Sequence, residues 1–167
     1  MAEQPVPFFR DRPVGQVGIV VRDVGEAVER YRRLWGARRW VQYTYGPELL
    51  RAQTFRGEAS RSSIRLALCG EGPQLELIQP VTGPGTHAEW LEARGEGVHH
   101  LGFHVPSIED AIREMTALGW APIQTGLGTG AGGDGGFAYF DTTSDLGLIV
   151  EAIEVPTQRR TPERVWE

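Results

Sequence analysis

Residues 96–105, EGVHHLGFHV, combine a glycine turn, an apolar strand-like run and two adjacent histidines. Imidazole nitrogens bind divalent metals and exchange protons near neutral pH, so chemistry is first expected here. Side chains alternate along a strand, so His99 and His100 are predicted to face opposite sides, whereas His100, Gly102 and His104 share one side. A single strand histidine is more often a half-buried wall residue than a ligand, and a functional interpretation therefore needs support from elsewhere in the chain.

That support comes from an internal repeat. Aligning QVGIVV in the first half with HLGFHV in the second places Gln16 on His100, and the glycine two residues later matches in both copies. Aligning LELI with VEAI places Glu76 on Glu151. The chain is therefore predicted to contain one module written twice, each copy with an early polar residue and a late glutamate on strands.

Two such modules, paired around a common cavity, would bring Gln16, Glu76, His100 and Glu151 together, because strand alternation turns each of them inward. Buried glutamates are costly unless their charge is compensated, and a divalent cation is the natural compensator. One imidazole nitrogen, two carboxylates and a carboxamide oxygen suit a borderline-to-hard ion in octahedral geometry, with open positions for a substrate oxygen. We predict a divalent metal ion as the cofactor, with zinc, nickel, cobalt, manganese and magnesium all compatible.

The elements that would hold these residues follow one order twice: a strand, a helix ending near a glycine, and three further strands. This pattern predicts an α+β fold of two tandem βαβββ modules that form a curved mixed sheet around a central metal cavity. The predicted organisation is an N-terminal arm (1–14), a first module (15–80), a connector with a short helix (81–97), a second module (98–154) and a C-terminal surface tail (155–167).

Three segments between the predicted strands carry no expected function. Residues 46–60 are expected to form an irregular crossing segment. The glycine-rich run GLGTGAGGDGG at 126–136 lacks the Lys-Ser/Thr ending of a phosphate-binding loop and is expected to be a flexible loop between strands. In the connector helix, Thr86 is expected to form a capping box with Glu89, and His87, in the first turn, is expected to be exposed.

Composition limits the possible partners. With 167 residues and 40% hydrophobic content the chain can bury a substantial core. A net charge of −5 without a long basic run argues against nucleic acid. Cys69 is the single cysteine, which is typical of a reducing compartment, and no apolar run approaches the roughly 18 residues that span a bilayer. We expect a cytoplasmic protein with a small-molecule substrate and no membrane partner. Homodimer formation is compatible with the sequence but is not decided by it.

The motifs GVHHLGFHV, ELIQP and the late IVE resemble the vicinal-oxygen-chelate superfamily, also called the glyoxalase/bleomycin-resistance/dioxygenase fold, and within it the methylmalonyl-CoA epimerase-like proteins. The resemblance covers roughly residues 15–154 and implies that the family's four metal ligands fall on Gln16, Glu76, His100 and Glu151. Two departures stand out. The epimerases have a histidine in place of Gln16, so that the Gln/Glu/His/Glu set is similar to that of some glyoxalase I enzymes. They also carry a second acidic base on the strand SIRLA, where Arg65 is the nearest equivalent.

The resemblance implies a metal-dependent isomerase, epimerase or lyase that acts through an enolate on a small carbonyl or thioester compound. It implies Glu151 as the proton-transferring base, with Glu76 as second candidate and ligand. His104, Arg65 and Tyr139 are candidate residues of the substrate pocket, together with Tyr43 and Tyr45. Whether the substrate carries coenzyme A or glutathione stays open.

Two other functions remain to be separated from this one. An extradiol-type dioxygenase shares the resembling fold, but it uses two histidines and one carboxylate on iron, which Gln16 argues against. A metal-free protein that sequesters a small aromatic compound or an antibiotic would have no need of four ligand-type residues at equivalent places of the repeat.

Overall fold

A computed structural model describes residues 8–167 of the chain. In chain order its elements are β1 (Gln16–Val20), α1 (Val24–Trp35), β2 (Trp40–Tyr45), β3 (Ala52–Phe55), β4 (Glu58–Ala59), β5 (Ser63–Cys69), β6 (Gln74–Thr82), α2 (Thr86–Arg94), β7 (Gly97–His104), α3 (Ile108–Ala117), β8 (Pro122–Leu127), β9 (Gly136–Phe140), α4 (Thr143–Leu146), β10 (Ile149–Glu154) and β11 (Arg164–Trp166). The described strands join in one curved mixed sheet, in the order β11-β2-β5-β6-β1-β7-β10-β9-β8-β3-β4.

Two equivalent halves make up the middle of this sheet. The first has the order β2-β5-β6-β1, and the second, β7-β10-β9-β8, repeats it from the other side. The register agrees with the sequence repeat: β1 pairs with β6 so that Gly18 faces Glu76, and β7 pairs with β10 so that Gly102 faces Glu151. The predicted α+β fold of two βαβββ modules is confirmed.

The two halves meet at the antiparallel pair β1–β7. Gln16 pairs with Gly102 and Gly18 pairs with His100, so the pairing is symmetric about the Val17–Leu101 pair between them. This symmetry places Gln16 and His100 on either side of a pseudo-two-fold axis. The axis therefore passes through the region where the functional residues are predicted.

Each half has its main helix on the outer face of the sheet. Asp23 caps α1 by accepting a hydrogen bond from the Glu26 N–H at 2.8 Å, and Gly36 ends the helix in the left-handed conformation. Ser107 caps α3 in the same way, through the Asp110 N–H. The apolar stripe of each helix packs on its own half-sheet, and the two clusters form separate cores centred on Trp40 and Leu77 and on Phe103 and Phe140. The opposite, concave face of the sheet is left for the site.

Residues 46–60 are not the irregular crossing segment that the sequence predicted. They contain the hairpin β3–β4, and β3 pairs with β8 of the other half. The polar, glycine-interrupted sequence gave little strand signal because its partner lies far away in the chain. The C-terminal tail also forms a strand, since β11 pairs with β2 and buries Trp166 beside Trp40. Both outer strands of the paired modules are thus covered.

Among residues 8–167, none of the helices is long and apolar enough to cross a membrane. The greater part of the predicted N-terminal arm lies outside the described residues. Within the described part, Phe8 is buried against Phe103 with 6.1 Å between ring centroids.

Candidate metal centre and substrate cavity

Glycines on the two central strands make room for the polar side chains opposite them. A Cβ atom on Gly18 would lie 1.9 Å from Cε1 of His100. A Cβ on Gly102 would lie 2.6 Å from Cδ1 of Ile153, 3.0 Å from Cβ of Gln16 and 3.2 Å from Oε2 of Glu151. No side chain fits at either position without displacing these groups, so the glycines that match in the sequence repeat create the space in which the site forms.

Three buried ionisable groups meet in that space. Nε2 of His100 lies 3.0 Å from Oε2 of Glu151 and 3.3 Å from Oε2 of Glu76. All three residues are at most 6% exposed. Gln16 lines the same cavity, and its Nε2 donates to Oε1 of Gln74 at 3.2 Å, which leaves its carboxamide oxygen free to bind a cation. The structure thus brings the four predicted ligands to one cavity.

The chemistry and spacing of these donors fit a divalent metal. Adjacent ligands of an octahedral ion held at about 2.1 Å are about 3.0 Å apart, close to the separations around His100 Nε2. Glu76, His100 and Glu151 each offer one ligand atom, with all three atoms within 4.8 Å of one another. Without a cation two carboxylates would share a buried site, which is costly unless a proton or a metal ion compensates them.

The metal-free protein compensates this charge through His100. Burial lowers the pKa of the imidazole, but the neighbouring charge of Glu151 and the hydrogen bonds that the ring donates to both carboxylates raise it more, so that the pKa is about 9. Burial and the charge of Glu151 raise the pKa of Glu76, against the hydrogen bond to His100. At neutral pH a protonated His100 therefore occupies the place of the cation.

A β-bulge next to this site corrects the expected orientation of His99. Opposite Gly18 and Ile19 the register jumps from His100 to Val98, so His99 is the extra residue of β7. A bulge re-aims side chains, and His99 accordingly lies beside His100, with 3.0 Å between the two Nδ1 atoms. Period-two alternation could not predict this arrangement.

His99 also connects the site to helix α2. Its Nε2 is 3.1 Å from the hydroxyl oxygen of Thr86, which therefore does not cap the helix as predicted; Gly85 is the N-cap instead. If His100 donates through Nδ1, His99 accepts at Nδ1 and donates through Nε2 to Thr86. Such a chain fixes the ring of His100 with Nε2 directed at the carboxylates.

The prediction that His87 is exposed is wrong. His87 is 1% exposed, and its ring lies 4.6 Å from that of His99 and 5.0 Å from that of Tyr139, centroid to centroid. Burial, followed by the charge of His100, lowers its pKa to about 3, so the ring is neutral. Neither ring nitrogen has a hydrogen-bond partner among the described residues.

The cavity beside the carboxylates has a volume of about 50 Å³ and is partly open to solvent. Ile64, Leu66 and Leu68 of β5 form an apolar wall. Tyr45 and Tyr139 line it from the two halves, and burial raises the pKa of Tyr45 to about 12 and that of Tyr139 well above its usual value. Both phenols are therefore neutral, and the charge of Glu151 adds to the rise in the pKa of Tyr139.

The remaining predicted pocket residues have different outcomes. His104 lines the cavity near its opening, and Tyr139 lies deep within it. Arg65 does not reach it, because it alternates with the cavity-lining Ile64 and Leu66 and so points to the other face of β5. Sequence analysis missed Arg159, which reaches the opening from the C-terminal tail; only the pairing of the tail with distant segments places it there.

The sequence profile of the Glyoxalase/Bleomycin resistance protein/Dioxygenase superfamily matches residues 15–140. The chain belongs to this superfamily. No protein of curated function matches it in sequence.

Solved structures of methylmalonyl-CoA epimerases share the fold of this chain. A variant of Streptomyces coelicolor methylmalonyl-CoA epimerase, in complex with 2-nitronate-propionyl-CoA, is similar with a TM-score of 0.62 and 21% identity, over 86% of this chain and 97% of that one. A methylmalonyl-CoA epimerase in complex with methylmalonyl-CoA and NH4+ has a TM-score of 0.62 at 20% identity, over 90% and 99%. The epimerase from Mycobacterium tuberculosis has a TM-score of 0.53 at 21% identity, over 84% and 87%. At these identities the likeness shows a common fold.

Proposed function

We propose that this protein is a divalent-metal-dependent enzyme that moves a proton on the carbon next to a carbonyl group of a small carbonyl or thioester substrate. The observation that supports this most directly is the pair of buried carboxylates, Glu76 and Glu151, placed equivalently on either side of His100. Carboxylates held near a cation, in a narrow cavity with room for a few atoms, are suited to take a proton from carbon and return it.

In this proposal Gln16, Glu76, His100 and Glu151 hold the metal, which when bound supplies positive charge that favours a developing enolate oxygen. An oxygen of Glu151 takes the proton from the α-carbon; the C–H electron pair forms the C=C bond of the enolate, and the carbonyl π electrons move to oxygen. Return of a proton to carbon reverses this electron movement and completes an epimerisation or an isomerisation. Ile64, Leu66 and Leu68 keep water from the apolar side of the cavity during these steps.

Glu151 is the proposed base because of its neighbours. Tyr139 pairs with Glu151 across β9 and β10, and its neutral hydroxyl can donate to one carboxylate oxygen while the other exchanges a proton. In the first half, Leu68 pairs with Glu76 where Tyr139 pairs with Glu151, so Glu76 has no equivalent phenol. The two glutamates thus occupy equivalent backbone positions, but only Glu151 has a tyrosine as its cross-strand neighbour. We propose Glu76 as a ligand and as the acid or base on the opposite side of the enolate.

The similar epimerase structures suggest methylmalonyl-CoA as the first substrate to test. The donor set with two glutamates suggests a second, a hemithioacetal that a glyoxalase I-like reaction would isomerise. The decisive experiment combines metal analysis of the purified protein with proton NMR of each compound in D₂O. We expect about one divalent ion per chain and exchange of the α-proton in one compound, both lost in His100→Ala. A protein that binds no metal yet retains small aromatic compounds would instead support the sequestering function, and oxygen consumption with a catechol would support a dioxygenase.

A further inference from the structure

Arg159 lies at the opening of the cavity, and the segment that carries it is fixed on both sides. The C-terminal tail crosses from β10 to β11, and on the way its backbone forms a bridge between Arg159 and Gly130. The Ala131 N–H donates to the Gln158 carbonyl oxygen at 2.9 Å. These contacts hold the Cα of Arg159 at the cavity, although its side chain is exposed to solvent.

The two other arginines of the tail, Arg160 and Arg164, are engaged in contacts within the protein. Arg160 donates to the carbonyl oxygens of Leu49 and Gly128, at 3.3 and 3.4 Å. Arg164 lies over the ring of Trp166, 4.2 Å from its centroid. Arg159 is in no ion pair within residues 8–167, so its charge is available at the opening.

The charges that line the cavity show what Arg159 can bind. A divalent ion would neutralise Glu76 and Glu151. The third lining carboxylate, that of Glu154, is engaged at the start of α3, where its Oε2 accepts from the Ile108 N–H at 2.9 Å. Among the lining residues Arg159 is the one arginine, and the sequence contains no lysine. With metal in place, the guanidinium of Arg159 is therefore a lining cation that forms no ion pair with a carboxylate of residues 8–167.

We propose that Arg159 is a specificity-determining residue that binds an anionic group of the substrate, a carboxylate or a phosphate, at the cavity opening. This inference rests on the proposed function, because it places the enolisable carbon of the same substrate at Glu76 and Glu151. A guanidinium offers a two-pronged donor that matches either anion, and its exposure allows the substrate to enter before the charges pair. The substrate class is thus an enolisable carbonyl or thioester compound with at least one anionic group.

The test uses metal-loaded full-length protein and two pairs of probes. The first pair is the methylmalonyl half-thioester of a short neutral thiol and the methyl ester of that compound. The second pair is propionyl-coenzyme A and the propionyl thioester of the same short thiol. Dissociation constants are measured by ligand-observed NMR. The rate of α-proton exchange is measured separately, by proton NMR in D₂O. The variants are Arg159→Gln and, as matched control, Arg61→Gln, which removes an exposed arginine that does not line the cavity.

We expect Arg159→Gln to weaken the anionic member of one pair by about 10- to 100-fold and to leave its neutral partner within about twofold, because a hydrogen bond to a charged group is lost. An effect in the first pair identifies the carboxylate, and an effect in the second identifies the phosphates of coenzyme A. Arg61→Gln should change neither. Equal losses for charged and neutral probes, or no loss at all, would overturn the role of Arg159. Charge-dependent binding without α-proton exchange in the wild-type protein would overturn the proposed function alone.

Discussion

His100 carries the proton that a metal ion has to displace. Its pKa of about 9 means that below that pH metal binding releases one proton from the ring. We expect the affinity for Mn²⁺ or Ni²⁺ to rise about tenfold per pH unit from pH 7 to 8.5 and then to level off. Competition with a chelator of known affinity measures this. A flat profile over that range would show that His100 is already neutral in the metal-free protein.

The same proton stabilises the metal-free fold. Because the pKa of His100 is raised from 6.5 to about 9, its contribution is complete below pH 6.5 and is lost as the pH rises through about 9. Removal of the metal should therefore lower the melting temperature more at pH 9 than at pH 6.5.

Glu151 and Glu76 allow the roles of ligand and base to be separated, since they occupy equivalent positions. Glu151→Gln keeps an oxygen ligand but removes the proposed base, so we expect α-proton exchange to fall by about 10²-fold or more while metal affinity falls modestly. Glu76→Gln is the matched variant and should lose similar metal affinity with a smaller loss of exchange. Equal or reversed losses of exchange, measured with both variants saturated with metal, would assign the base to Glu76.

At the scale of elements, the β-bulge in β7 decides how His100 is held. We expect His99→Phe to lower metal affinity by about 10- to 100-fold, because the acceptor for the His100 Nδ1–H is lost. His87→Phe is a suitable control, since His87 also contacts His99 but has no hydrogen-bond partner among the described residues. Calorimetric metal titration measures the affinity, and ¹⁵N NMR reports the tautomer of His100. A similar loss in both variants would point to packing rather than hydrogen bonding.

The paired central strands set a strict steric limit. A methyl group at Gly18 would lie 1.9 Å from the imidazole of His100, so Gly18→Ala should displace the ring, reduce metal affinity at least about 10²-fold and destabilise the fold by about 1–3 kcal/mol. In Gly132→Ala the added atom would meet only Asp134 Oδ1, at 3.7 Å, and no comparable effect is expected. Urea unfolding and metal titration of both variants test this. Normal metal binding by Gly18→Ala would show that the strands can separate at low cost.

At the scale of the whole molecule, segments distant in sequence close the edges of the paired modules. Trp166 is 5% exposed and packs in the core of the first half, so Trp166→Ala should cost about 3 kcal/mol and release the tail that carries Arg159. Val165→Ala, at a position 39% exposed, should change stability by less than about 0.5 kcal/mol. Thermal unfolding measures both. Equal stability of the two variants would mean that β11 is not part of the cooperative fold.

The sequence by itself determined the fold class and its internal symmetry, because the alignment of Gln16 with His100 and of Glu76 with Glu151 reflects the backbone register of the two halves. Local rules sufficed there, since strand period and helix caps act between near neighbours in the chain. The tertiary structure alone decided the rest. The bulge that turns His99 towards His100, the strand β3 that pairs with β8, and the tail that brings Arg159 to the opening all depend on pairing between distant segments. Such pairing has no local periodicity, and burial of His87 likewise follows from the packing of α2 on the sheet rather than from its place in a helical turn.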